Sequence, residues 1–247
     1  MPEISASKYL VNAGWEDVPH LDAKTKAELL AATPPHLRDA RTKGEPSLGA
    51  GAIYPVELSE ILVDPFQIPP FWPRCYALDV GWNRTAALWA ALDRQTDCWY
   101  LFTEHYRGQA EPSIHSTAIK ARGEWIPGLI DPAARGRSQD DGTQLLATYR
   151  NLGLTLTESA NALEAGIYDV WLRLSTQRLK VFRTLMNWQA EYRLYRRDEK
   201  GNVVDDFNHL MDCMRYIILS GRDIAMPYPV KKELGTSRLA GDPATAY

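Results

Sequence analysis

No apolar run in this sequence reaches the ~20 residues that a membrane-spanning helix requires, because charge interrupts each one first. The N-terminal residues also lack the basic, apolar and small-residue order of a secretory leader, so a cytoplasmic protein with no membrane partner is expected. No GxxxxGK[ST] phosphate loop occurs, and the chain by itself is not expected to carry an ATP site. Cysteine is scarce: Cys75, Cys98 and Cys213 form no CxxC pair and lie among apolar neighbours, which points away from a disulfide or zinc framework and toward reduced core thiols. Nor is positive charge in excess. Lys and Arg total 28 against 31 Asp and Glu, a formal charge of −3. That balance argues against simple coating of nucleic acid, but leaves room for an acidic site that subtracts from a local basic surface.

What is present begins with a composition that is 45% hydrophobic over 247 residues, enough for a sizeable core. Residues 1–72 read as an N-terminal arm or linker. Thr25–Leu30 and Pro34–Arg41 fit short helices, Gly44, Gly49 and Gly51 then break the pattern, and Pro55, Pro65, Pro69, Pro70 and Pro73 keep the chain extended. Residues 73–222 read as the main domain, and 223–247, with Pro227, Pro229 and Pro243, as a flexible tail.

Within the main domain, Cys75–Val80, Thr85–Leu92 and Cys98–Tyr106 are apolar and aromatic runs with short connections, the pattern of an antiparallel meander. After it, strands alternate with helices. Glu111-Pro112 opens a helix that ends near Gly123, and Trp125–Ile130 is a short strand. A helix carrying Leu145, Leu146 and Tyr149 stops at Gly153, Leu154–Thr157 is a strand, Ala162–Leu174 a helix and Leu179–Phe182 a strand. Alternation of this kind implies parallel pairing, so the fold class is α/β: a mixed sheet flanked by helices. Thr184–Glu191 fits a helix and Tyr192–Val204 a hairpin about Glu199-Lys-Gly-Asn202, with a helix continuing through Arg197 as the competing reading. The last helix is expected from Asp206 to Leu219.

Three carboxylates stand out against this outline. Asp79 interrupts the apolar run Tyr76–Trp82, Asp131 ends the strand after Trp125, and Asp212 lies in a helix that is apolar on most sides. Each has a purely structural reading. Asp79 can open a turn with Gly81 and Asn83, Asp131-Pro132 can start another, and Asp212 can pair with Arg215. Together, at strand ends and on a buried helix, they fit a site for two divalent cations, and all-oxygen ligands favour Mg²⁺ or Mn²⁺ over zinc. His209, three residues before Asp212, shares its helix face. Arg135 and Arg137, in the loop after Asp131, are candidate phosphate contacts. So are Arg196 and Lys200, in a basic run that also includes Arg173, Arg178, Lys180, Arg183, Arg193 and Arg197.

The order Leu-Asp-Val-Gly-Trp82, Trp-Ile-Pro-Gly-Leu-Ile-Asp-Pro132 and Asn-His-Leu-Met-Asp-Cys-Met-Arg-Tyr216 resembles the nuclease domain of the large terminase subunit of tailed bacteriophages. The last motif is similar to the family's HxxDAxRY helix, with Cys213 where that pattern has alanine. The match covers roughly Pro73 to Gly221, and Leu48–Pro55 looks like the segment leading out of the family's ATPase domain. The resemblance implies a ribonuclease H-like fold and a metal-dependent endonuclease that cuts concatemeric double-stranded viral DNA during packaging. It places the family's acidic triad at Asp79, Asp131 and Asp212. It further implies an ATPase motor domain, a small terminase subunit and a portal as partners, in the cytoplasm of an infected bacterial host. A Holliday-junction resolvase of the same fold, or a docking module that has kept the fold without catalysis, are the alternatives.

Overall fold

The structure, a computed structural model, describes residues 14–17, 21–32, 42, 51–132, 145–198 and 201–229. The expected helix at 34–41, and Arg135, Arg137 and Lys200, lie outside them. In chain order the main elements are α1 (Ala23–Ala32), α2 (Leu58–Ile61), β1 (Leu62–Val63), β2 (Arg74–Asp79), β3 (Thr85–Asp93), β4 (Cys98–Arg107), α3 (Pro112–Lys120) and β5 (Gly128–Ile130). They continue with α4 (Leu145–Asn151), β6 (Leu156–Glu158), α5 (Leu163–Ser175), β7 (Leu179–Phe182), α6 (Met186–Leu194) and α7 (His209–Ile224).

The sheet grows outward from β3. Its sequence is small and apolar on both faces, and all nine positions are buried, as a strand covered by helices on both sides requires. It pairs antiparallel with β2 and β4, giving the expected meander, and the connecting turn closes when the Asp93 carboxylate accepts from the Gln95 amide at 2.9 Å and the Thr96 hydroxyl at 2.7 Å. Parallel strands extend both sides: β5 beside β2 and β6 beside β5, β7 beside β4 and β1 beside β7. The order is β1-β7-β4-β3-β2-β5-β6. Gly128 makes the β2–β5 junction possible, since a Cβ there would stand 2.2 Å from the Tyr76 ring.

Period-two alternation sorts β2 onto two cores. Cys75 and Ala77 join Leu88, Leu129, Val170, Met211 and Ile217 on the face covered by α5, α6 and α7. Tyr76 and Leu78 join Trp89, Ile130, Leu146 and Tyr149 on the face covered by α3 and α4. Each such fully buried aliphatic side chain stabilises the fold by about 1.5–3 kcal/mol. Asp79 and Asp131 follow Ala77 and Leu129 by two residues, so alternation turns both toward α7. All three cysteines are buried thiols, as expected. No helix among the described residues is long and apolar enough to cross a membrane.

Residues 51–72 are docked onto the α7 face. Ile53, Tyr54, Ile61 and Ile68 are part of its core, and the Tyr192 hydroxyl donates to the Tyr54 and Val56 carbonyls. This docking corrects the hairpin expected at 192–204. Tyr192, on the helix, and Tyr195, just past its end, both pack on Tyr54, so α6 runs through Leu194; the hairpin is confined to 196–204, where Arg197 bridges Val203, the Val204 amide donates to the Arg196 carbonyl and the Asp198 amide donates to the Asn202 carbonyl. The final helix is also displaced: it starts at His209, after Phe207 in the left-handed region at φ 53°, and ends at Ile224. Gly221 lets its last turn lie against Cys75 and Trp99. Beyond it, Met226 exchanges backbone hydrogen bonds with Arg74 and the Tyr228 amide donates to the Pro70 carbonyl, so this part of the segment expected as a tail is held.

Candidate functional site

Two neighbouring strand ends and one helix build the site. Parallel register pairs Leu78 with Ile130, which sets Asp79 and Asp131 side by side one residue further on. β6 ends level with them, Ile130 against Glu158, and the Ser159 amide donates to the Ile130 carbonyl at 2.9 Å. Across this edge lies α7. Its first turn presents both His209, whose Nδ1 donates to Asp79 Oδ2 at 2.7 Å, and Asp212. Asp212 Oδ1 accepts from Arg215 Nη2 at 2.8 Å and Nε at 3.3 Å, and Oδ2 accepts from Asn208 Nδ2 at 3.3 Å.

The electrostatics follow from burial. The Asp79 and Asp212 side chains are 18% and 17% exposed. Burial pushes the Asp212 carboxyl up to about 6; the Asp79 and Asp131 charges push the same way, while Arg215 opposes them. The hydrogen bond to Asp79 raises His209, favouring its charged form. A polar cleft of about 320 Å³ opens here, lined by Asp131, Asn161, Asp205, Asn208, Asp212 and Arg215 among others. Asp79 and its partner His209 lie beside the cleft, outside its lining.

Carboxylate, amide and hydroxyl oxygens are the donors of a hard divalent cation, and convergent buried carboxylates are the setting in which such a cation relieves repulsion. The donor chemistry therefore fits magnesium or manganese. Among the described residues no three His, Cys, Asp or Glu side chains stand at ligating spacing. Protein cations already occupy one oxygen of Asp79 and one of Asp212, so the purely structural pairing with Arg215 is formed as well.

No family model matches the chain. The chain is 29% identical over 238 residues to the large terminase subunit of Salmonella phage P22, a match covering 92% of this chain and 47% of that protein. It thus spans about half the length of the curated relatives it matches. Among solved structures, the P22 large terminase nuclease domain superposes with a TM-score of 0.67 at 26% identity, over 73% of this chain and 96% of that one. The fold is that of a terminase nuclease domain. The nuclease domain of the bacteriophage SPP1 large terminase, solved with bound Mn, shares the fold alone: the TM-score is 0.50 at 16% identity, over 68% of this chain and 99% of that one. The terminase nuclease fold here is the ribonuclease H-like mixed sheet expected from the sequence.

On this terminase-type sheet, Asp79, Asp131, Asp212 and His209 come to one edge. Arg196 is exposed and pairs with Ala52 in a bridge next to Val203, a residue of the cleft lining. Much of the basic run serves elsewhere. Arg173, Arg178 and Arg222 all pair with Asp97 at the β3–β4 turn, the opposite end of β3 from the acids, and Arg183 pairs with Asp64.

Two contributors were not singled out by sequence. Glu191 is buried on α6, accepts from the Tyr106 hydroxyl at 2.6 Å and from the Leu210 amide at 2.6 Å, and so caps the start of α7 from another element. Its signal was an acid between Trp188 and Tyr192 on a buried helix face. Asn161 bonds both Arg215 and Asp131, and no sequence pattern marks it.

Proposed function

We propose that this chain is the nuclease portion of a large terminase: a Mg²⁺- or Mn²⁺-dependent endonuclease that cuts concatemeric double-stranded viral DNA during genome packaging. The observation that carries the reading is the register of β2 and β5, which sets Asp79 beside Asp131 and faces both toward Asp212 on α7. Asp79, Asp131 and Asp212 would hold a two-ion centre. When bound, the cations would supply polarisation of the scissile phosphate and a water acidic enough to act as nucleophile near neutral pH. His209 orients Asp79, and Asn208 and Arg215 orient Asp212. Arg196, with Arg135, Arg137 and Lys200, would meet the DNA phosphates.

The bound Mn of the SPP1 nuclease domain supports the choice of metal, and the P22 relative supports the packaging context. On this reading the chain works beside an ATPase motor domain, a small terminase subunit and a portal, in the cytoplasm of the infected host. Plasmid nicking in Mn²⁺ tests it: wild type cuts and Asp212→Ala does not, although both unfold cooperatively. An Asp212→Ala variant that still cuts would remove the assignment.

One observation favours a second reading, a docking module that binds no metal: Asp212 is already paired with a cation of the protein, Arg215. Calorimetric titration with Mn²⁺ separates the two, since the docking module gives no saturable heat.

A further inference from the structure

Arg215 is a deeply buried cation at the site, 4% exposed, and its guanidinium does more than pair with Asp212. Nη2 and Nε reach Asp212 Oδ1, Nη1 donates to Asn161 Oδ1 at 2.9 Å, and Asn161 Nδ2 in turn donates to Asp131 Oδ1 at 3.4 Å. The chain Asp212–Arg215–Asn161–Asp131 therefore spans from the helix to the strand edge. We propose that Arg215 and Asn161 form an internal brace, a built-in cation and its relay, that holds the helix carboxylate and the strand carboxylate together before any metal arrives. The proposal rests on the reading of this site as a metal centre.

Independent features of the fold are arranged around the brace. Gly166 sits inside α5, where glycine is a poor helix former, and a Cβ there would stand 2.6 Å from Arg215 Cγ and 2.9 Å from Cδ. The arginine stem runs through the space that this glycine leaves. The guanidinium lies over the Tyr216 ring at 4.8 Å, which fixes its plane. The two residues before Asn161 are tied to β5 and α7, because the Ser159 amide bonds the Ile130 carbonyl and the Ala160 amide bonds Ser220 Oγ on α7 at 2.9 Å. A planar five-donor group is the side chain able to bond a carboxylate and an amide oxygen at once. Arg215 and Asn161 are thus positioning residues: they touch the proposed ligands, not the substrate.

Two variants of the full chain test the brace. Asn161→Ala removes the relay without changing charge at an exposed position. It is expected to weaken Mn²⁺ binding, read by calorimetry, about tenfold, as loss of a ligand-orienting partner does. Its unfolding midpoint in EDTA should stay within about 2 °C of wild type. Arg215→Met keeps the stem and removes the brace, so the acids are no longer held in place for the ion. The rise in unfolding midpoint from EDTA to saturating Mn²⁺ should fall short of the wild-type rise by about 3 °C or more. Unchanged Mn²⁺ affinity in Asn161→Ala, or an equal rise in Arg215→Met, overturns the brace; if Arg215→Met does not fold, the Asn161→Ala titration decides. Absence of Mn²⁺ binding by the wild type overturns instead the reading of the site itself, and is seen before either variant is measured.

Discussion

The two ends of the sheet handle charge in opposite ways. At the β3–β4 turn one carboxylate, Asp97, collects three guanidiniums, from Arg173, Arg178 and Arg222, and its side chain is 35% exposed. At the other end three carboxylates, Asp79, Asp131 and Asp212, gather at one place, where His209 pairs with Asp79 and Arg215 with Asp212, in a setting buried enough to lift Asp212 to about 6. Surplus positive charge at an exposed turn is screened by water and salt, so it is a modest structural device. Negative charge gathered at a half-buried edge is expensive, and the proposed metal centre is what would offset that cost.

The largest expected effect comes from the acid end. Asp212→Asn should bring plasmid cleavage in Mn²⁺ below detection. His209→Ala, which leaves Asp79 without its orienting partner, should lower the cleavage rate about 10–100-fold, the range for residues that hold metal ligands in place. Comparable nicking rates for His209→Ala and wild type would mean that the His209–Asp79 bond is merely structural.

A smaller effect sharpens the same contrast through stability. The folded pKa of Asp212 lies above its ordinary 3.8, so the folded state holds this proton more tightly than the unfolded chain. Stability is therefore lost as pH rises from about 4 to 6, and the full cost of the charged carboxylate is present above about 6. Asp212→Asn, which cannot carry that charge, should be more stable than wild type by on the order of 1–2 kcal/mol at pH 7 without metal. The gain should vanish below about pH 4. Urea unfolding at the two pH values checks it, and a variant less stable at pH 7 would show that Arg215 depends on the charge more than burial opposes it.

The smallest effect belongs to the other end. Asp97→Ala should cost no more than about 1 kcal/mol, shrink further in 1 M salt, and leave cleavage unchanged. A strong loss of nuclease activity in Asp97→Ala would break the division of the sheet into a structural end and a chemical end.

Some of this was legible in local pattern. The meander appeared because β2, β3 and β4 are long, apolar and separated by obvious turns, and the acids appeared because a carboxylate in an apolar run is conspicuous. The turn of the hairpin is legible, but its first strand is not, because Tyr192 and Tyr195 fit either period until Tyr54, more than a hundred residues earlier, docks against them. That α7 starts at His209 and not at Asp206 has a similar cause: Glu191 caps it from another helix.

The sequence by itself determined which residues carry charge into apolar surroundings, since burial of Asp79, Asp131 and Asp212 follows from their immediate neighbours. It also determined the mixed sheet, because strand and helix periods are local properties of the chain. Only the tertiary structure decided the register that puts Asp79 beside Asp131, the division of arginines between Asp97 and Asp212, and the link from Arg215 through Asn161. Those depend on contacts between residues far apart in the chain, such as Gly166 against Arg215, and close packing across elements alone selects them.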